Sequence, residues 1–205
     1  MRRSGFWNAS VRNTDRMNAE IDISGVTLIT ERLIIRPWRM EDLADFYEYA
    51  SVDGVGQAAG WSPHKSIDES RVILTMFIEG KNEFALECNS KAIGSLGIER
   101  YNEERFPEFE TMKCREIGYV LGKDYWGQGL MTEAVRELIR YLFEDVKLDV
   151  ILCSNFIGNV RSARVKQKNG FRHYSFGKYH TLMDTWVDDD TGILTRKEWQ
   201  NRNPG

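Results

Sequence analysis

Hydrophobic positions along the chain fall into short blocks whose period changes from block to block. Residues 27–37 alternate in part, carry the β-rich run Leu33-Ile34-Ile35 and stop at Pro37, which predicts a strand. Leu43, Phe46, Tyr47 and Ala50 follow the i, i+3, i+4, i+7 rule of an amphipathic helix, broken by Asp53-Gly54-Val55-Gly56. A second helix starts at the capping box Ser66-Ile67-Asp68-Glu69, with Ile67, Leu74 and Ile78 marking its buried face. Residues 83–87 and 92–99 read as a hairpin turning at Asn89-Ser90, and the charged stretch 102–113, with Pro107, reads as a loop.

Residues 115–121 form a further strand, with Ile117, Tyr119 and Leu121 on one face. A turn over 122–129 feeds a helix over 130–143 that buries Val135, Leu138, Ile139 and Leu142. A strand over 149–154 and a helix over 159–169, stopped by Gly170, follow. The remainder to Arg196 reads as two strands separated by Asp188-Asp189-Asp190-Thr191-Gly192. The order predicts one mixed α/β (α+β) domain rather than a regular doubly wound one. No linker or repeat divides it. Residues 1–26 show no periodicity and are expected to form a flexible or loosely docked tail. A start at Met17, or exchange of this segment with a second copy in a homodimer, are the alternatives. Residues 27–199 make the domain and 200–205 a short tail.

The 205 residues are 41% hydrophobic with a net charge of −3, which excludes a disordered chain and a protein whose whole surface is built for nucleic acid. Cys88, Cys114 and Cys153 fit no zinc or CxxC spacing, and His64, His173 and His180 form no HExxH pair, so no metal site is expected. No apolar run approaches the roughly 20 residues of a membrane helix, and no apolar segment follows Arg2-Arg3 as a secretory signal requires. A reduced, cytoplasmic protein is the expectation.

The distribution of charge changes the picture more than its sum. Residues 150–182 hold no acid, yet carry Arg161, Arg164, Lys166, Lys168, Arg172 and Lys178. They follow a strand–turn–helix unit containing Gly127-Gln128-Gly129. The unpaired amides at a helix start make an anion site, and glycines allow close approach of backbone to a phosphate. No Walker A loop is present, and the dinucleotide fingerprint is incomplete. A solvated basic helix face and a docking site for a small polyanion both remain open readings; a nucleic-acid face finds few interleaved aromatics.

Taken together, several segments resemble the GNAT N-acetyltransferases. Arg115-Glu116-Ile117-Gly118-Tyr119 and Asp124-Tyr125-Trp126-Gly127-Gln128-Gly129-Leu130-Met131-Thr132-Glu133-Ala134 are similar to that family's acetyl-CoA-binding segment. Asn159-Val160-Arg161-Ser162 and Lys168-Asn169-Gly170-Phe171 resemble a second segment of the branch of the ribosomal-protein N-terminal acetyltransferases RimJ and RimL. Thr30-Glu31-Arg32-Leu33-Ile34-Ile35-Arg36 and Leu194-Thr195-Arg196-Lys197-Glu198-Trp199 resemble its opening and closing strands, and Gly60-Trp61-Ser62-Pro63-His64 an early loop. The resemblance spans about residues 27–199 in the right order.

It implies a mixed central sheet flanked by helices and splayed at the cofactor site. It implies acetyl-CoA as donor and direct attack by a primary amine in a ternary complex. The acceptor would be a protein N-terminal α-amine or a small molecule such as a polyamine, amino acid or antibiotic; a non-catalytic acyl-CoA-binding module is the other implied class. The pyrophosphate would meet the amides around Trp126, Gly127, Gln128, Gly129, Leu130, Met131 and Thr132. The pantetheine arm would run beside Tyr119, Val120 and Leu121. Asn159 would bond a pantetheine amide, and Lys166 or Lys168 the 3′-phosphate. Glu116 or a water relay is implied as base, and Ser162 as donor to the departing thiolate, because Lys166 stands where many members carry a tyrosine. Trp61 and His64 would line the acceptor slot. Asp124 stands where the family commonly has Gln or Arg, and is expected to point away from the pyrophosphate.

Overall fold

The computed structural model describes residues 18–202. An eight-stranded sheet runs through the molecule. Its strands are β1 (Leu28–Ile29), β2 (Ile34–Pro37), β3 (Glu83–Cys88), β4 (Lys91–Glu99), β5 (Cys114–Leu121), β6 (Val150–Phe156), β7 (Arg172–His180) and β8 (Trp186–Thr195). They lie in the order β1-β2-β3-β4-β5-β6-β8-β7. All neighbours are antiparallel except β5 and β6, whose connection passes through the helix α3 (Leu130–Glu144). The other helices are α1 (Leu43–Ala50), α2 (Ile67–Gly80), α4 (Val160–Lys168) and α5 (Arg196–Arg202).

Side chains alternate between the two faces of a strand, and the apolar residues divide accordingly. Ile35, Phe84, Leu96, Ile117, Ile151 and Cys153 pack under α3, whose Leu138 and Leu142 are fully buried. Ala85, Ala92 and Val120 pack on the opposite face against Phe46 and Leu74 of α1 and α2. Farther along that second face, Cys114, Val150, Leu152 and Ile193 are covered by Tyr101, Phe106 and Phe109 of the loop between β4 and β5. Between these last two clusters the second face carries Glu116 and Gly118 instead of apolar side chains. Among the described residues, no helix is long and apolar enough to cross a membrane.

Several expected elements differ. The strand at 27–37 is two short strands paired as a hairpin, since Thr30-Glu31-Arg32-Leu33 turns: the Thr30 hydroxyl accepts from the Leu33 amide at 3.0 Å. Residues 18–26 are docked rather than loose. Ile23 is 1% exposed in the main core, and Ala19 O accepts from the Arg115 guanidinium. The readings of a tail, an alternative start or a segment exchange over 1–17 lie outside the described residues, as do 203–205. On α1, Tyr49 rather than Tyr47 is buried; on α2, Ser70 joins Leu74 in the interior while Ile67 stays exposed.

The largest correction concerns Asp188-Asp189-Asp190-Thr191-Gly192. These residues are the middle of β8, not a turn, and the chain reverses at 181–185 instead. Successive acids alternate across the sheet, and each inward acid finds a cation. Asp189 takes a bidentate pair from Arg105 at 2.7 and 2.9 Å; Asp190 takes Lys166 at 3.0 Å and His173 at 2.5 Å. The closing segment is also not all strand: β8 ends at Thr195, and Arg196–Arg202 is helix, with Trp199 stacked on Phe143.

Candidate active site

β5 and β6 pair only at Cys114↔Val150, Arg115↔Ile151 and Glu116↔Leu152. Among the described residues, β5 continues to Leu121 paired with β4 alone, and β6 continues to Phe156 paired with β8 alone. The two strands splay, which leaves the 117–121 edge of β5 facing a groove. The groove has a volume of about 1940 Å³ and runs from the start of α3 past the splay to the tip of the β7–β8 hairpin.

At the α3 end, Gly127 and Gly129 have φ of +78° and +81°. This left-handed backbone, more than steric room, is what demands glycine: a Cβ on Gly127 would meet nothing within 4 Å. The first intrahelical bond is Glu133 N–H to Gly129 O at 3.1 Å, and no side chain caps the helix. Among the described residues, the amides of 127–132 therefore have no acceptor. The loop is fixed from outside by Arg32, which donates to Gln128 O at 2.9 Å and pairs with Glu133 at 2.6 Å. Leu130 and Met131 bury their side chains in the core, so only their backbone is offered to the groove.

Arg161, Arg164 and Lys168 of α4 line the same end, and the Arg161 guanidinium lies 3.9 Å over the Trp126 ring. The Trp126 indole N–H donates to Leu121 O at 2.7 Å. Lys178 also lines the groove; Lys166 does not. Its side chain is 5% exposed and tied to Asp190, so it is withdrawn from any ligand, and Arg172 is paired with Glu198. Gln128 and Asp124 are not in the lining either. The Gln128 amide turns to Asp124 O at 2.9 Å.

At the splay the two sheet faces present different chemistry. On the α3/α4 face, the Tyr119 hydroxyl is 2.9 Å from Ser162 Oγ and donates to Ser162 O at 3.2 Å. Burial raises the Tyr119 phenol well above its ordinary value, so it stays protonated and able to donate. The cap of α4 is Asn159, whose Oδ1 accepts from Ser162 N–H at 3.2 Å and whose Nδ2 donates to Ala58 O at 3.3 Å. Asn159 thus spends its side chain on structure, and the Ser162 hydroxyl is left for other partners.

On the opposite face stands a row of polar groups set by strand register. Glu99 is directly across from Glu116, Ser154 from Thr191, and Phe156 from Asp189. Ser154 Oγ is 2.9 Å from Thr191 Oγ1, on the same face as Glu116. Burial pushes the Glu116 carboxyl above the ordinary carboxylate range; the nearby Ser154 hydroxyl and Arg105 oppose that shift without cancelling it. Burial likewise raises Glu83, and the neighbouring Glu99 charge adds to the shift.

Thus Glu116, Tyr119, Val120, Leu121, Trp126, Gly127, Gly129, Leu130, Met131 and Thr132 are brought to one groove with Asn159, Ser162 and Lys168. Trp61 and His64 are not. His64 is 9% exposed, its Nδ1 is 2.7 Å from Ser70 Oγ, and its ring packs on Phe46 and Trp61. Burial lowers its pKa, and it serves as a core residue between α1 and α2. Trp61 lies flat against Gly56, where a Cβ would fall 2.2 Å from the ring. The residues that sequence reasoning missed are Glu99, Arg105, Ser154 and the Tyr119 hydroxyl. Only the last carried a readable signal, the alternation that turns Tyr119 toward the helices.

With this geometry in hand, comparison with known proteins is specific. The sequence profile of the acetyltransferase (GNAT) domain matches residues 32–172. The uncharacterized N-acetyltransferase p20 of Bacillus licheniformis is 31% identical over 132 residues, covering 61% of this chain and 70% of that protein. The [ribosomal protein uS5]-alanine N-acetyltransferase of Escherichia coli is 31% identical over 84 residues, 40% of this chain and 43% of that one. Among solved structures, Mycobacterium smegmatis RimJ in complex with CoA-disulfide superposes with a TM-score of 0.71 at 20% identity, over 87% of this chain and 91% of that one. The splayed sheet and a family match over most of the chain agree, and the protein belongs to the GNAT family, as an N-acetyltransferase.

Proposed function

We propose that the chain transfers the acetyl group of acetyl-CoA to an α-amine, that of a protein N-terminus. The observation that carries the reading is the set of acceptor-free amides at 127–132, continuous with the unpaired edge of β5. They fit a donor with a pyrophosphate and an amide-bearing arm, and Arg161, Arg164 and Lys168 supply countercharge. When bound there, acetyl-CoA supplies the activated thioester.

The chain's own groups do the rest. Glu99 and Glu116, on the face opposite α3 and α4, draw a cationic amine into the splay. Glu116 takes the ammonium proton, and its raised pKa makes it a stronger base than an ordinary carboxylate. An α-amine, with an ordinary pKa of about 8, yields that proton far more readily than a lysine side chain at about 10.4, which favours a chain terminus as acceptor. The hydroxyl pair of Tyr119 and Ser162, on the other face, donates to the sulfur as it leaves. The likeness to an enzyme named for uS5-alanine acetylation supports the same acceptor class.

The test is a pair of peptides with acetyl-CoA: one with a free N-terminus, the other N-terminally blocked but containing lysine. Mass spectrometry should find acetylation on the first alone. Modification of the blocked peptide at equal rate would refute the α-amine assignment, and modification of neither would count against this acceptor class.

A further inference from the structure

Resting on that reading, we propose that Asn155 is a binding residue for the acyl donor, its Oδ1 accepting an amide N–H of the donor's pantetheine arm. Asn155 lies on β6 beyond its last pair with β5, where the strands have separated, and it lines the groove. The residue is 9% exposed, and its Oδ1 is a buried acceptor with no partner among the described residues. Its orientation is determined: Nδ2 donates to Phe156 O at 2.9 Å, so the oxygen is the atom left over. A buried acceptor without a donor is disfavoured unless something supplies one, and its position in a groove wall points to a ligand.

The ligand group follows from the atom and the face it occupies. The atom is an acceptor, so it calls for N–H or O–H. Its face is set by the pleat: Cys153 and Asn155 share the side of the sheet that packs under α3 and α4, while Ser154 and Glu116 share the other. Tyr119 and Ser162 are on Asn155's side, and Cys153 Sγ reaches the Tyr119 hydroxyl at 3.9 Å. An arm running from the α3 amides along the free edge of β5 passes this side. An amine approaching Glu116 comes from the other. The pantetheine arm carries two amide N–H groups, and the position of Asn155 across from the β5 edge suits one of them.

The neighbourhood makes the test clean. Phe156 O also accepts from Asn159 N–H at 2.9 Å, so it keeps a partner when the Asn155 side chain is removed. Asn155→Val, β-branched and suited to a strand, deletes the unpartnered oxygen without creating another. Asn155→Leu, branched at the same carbon as asparagine, is the second variant. Calorimetry with the full chain should show acetyl-CoA binding about tenfold weaker in either variant, the size of one lost hydrogen bond to a buried partner. Adenosine 3′,5′-bisphosphate, which has the phosphates but no arm, should bind unchanged, and the thermal midpoint of the free protein should hold or rise. A merely structural asparagine would give the opposite: a lower midpoint and equal losses for both ligands. Unchanged acetyl-CoA affinity, or an equal loss for both probes, overturns the assignment. Failure of the wild-type chain to bind acetyl-CoA would overturn the functional reading itself, and this inference with it.

Discussion

At the α3 end of the groove, the backbone of Gly127 and of Gly129 to Thr132 comes from one turn of chain. At the other end, Glu99, Arg105, Glu116, Ser154 and Asp189 come from five separate segments, joined by cross-strand register and one ion pair. The first end works through backbone, and its side chains serve mainly to fix the loop. The second works through side chains, and burial raises the Glu116 carboxyl among them. A backbone site tolerates variation in sequence as long as φ stays positive at two glycines. A side-chain site is changed by a single atom. The difference says where each substitution should act: at the first end on donor affinity, at the second on turnover.

The largest effect should come from Glu116→Gln. Turnover should fall by about 10²- to 10⁴-fold with donor affinity unchanged, the scale of a lost general base. In the wild-type chain, log(kcat/KM) against pH should rise through a midpoint above the ordinary carboxylate value, because activity needs the ionised form of a carboxyl whose pKa is raised. The same shift acts on stability with opposite sign. The folded state holds the proton more tightly than the unfolded one, so the contribution of Glu116 is fully present below the unfolded pKa and is lost as pH rises through the folded one. Glu116→Gln should therefore raise the thermal midpoint near neutral pH. A variant both inactive and less stable would mean Glu116 is structural.

Next in size is Lys166→Met. It removes the buried partner of Asp190, and unfolding free energy should drop by about 3 kcal/mol, with acetyl-CoA affinity untouched. Chemical denaturation and calorimetry together check both halves. A loss of affinity without loss of stability would return Lys166 to the ligand. Ser162→Ala and Tyr119→Phe should each lower kcat by about 10- to 100-fold, and the double variant should lose little more, since the two hydroxyls act as one unit. Independent, additive losses would separate them. The smallest effect belongs to Lys168→Ala: a few-fold weaker acetyl-CoA binding that fades at high salt, as expected for an exposed cation.

What the amino-acid pattern revealed divides along the same line. The helix at 130–144, its glycine turn and the strand before it are local, and periodicity plus two glycines place them within a residue or two. The acid-free stretch 150–182 pointed to a polyanion, and four of its six cations line the groove. Lys166 and Arg172 could not be separated from these by composition, because their partners Asp190 and Glu198 lie well along the chain. Three consecutive acids at 188–190 read as a turn because buried acids are rare. They form a strand because Arg105, Lys166 and His173 arrive from elsewhere to pair with them. His64 and Trp61 looked like slot residues in a loop. Whether such a loop faces a groove or a core is decided by the helices that close over it, and here Phe46 and Ser70 enclose His64.

The division of labour between the two ends can be measured directly by titrating acetyl-CoA into the wild-type chain, Glu116→Gln and Gly129→Val under one set of conditions. Valine at a φ of +81° is strained and should pull the amide loop out of shape. The account requires that Glu116→Gln binds as the wild type does while forming no acetylated peptide, and that Gly129→Val binds at least tenfold more weakly. Tight binding by Gly129→Val, or loss of binding in Glu116→Gln, would contradict it.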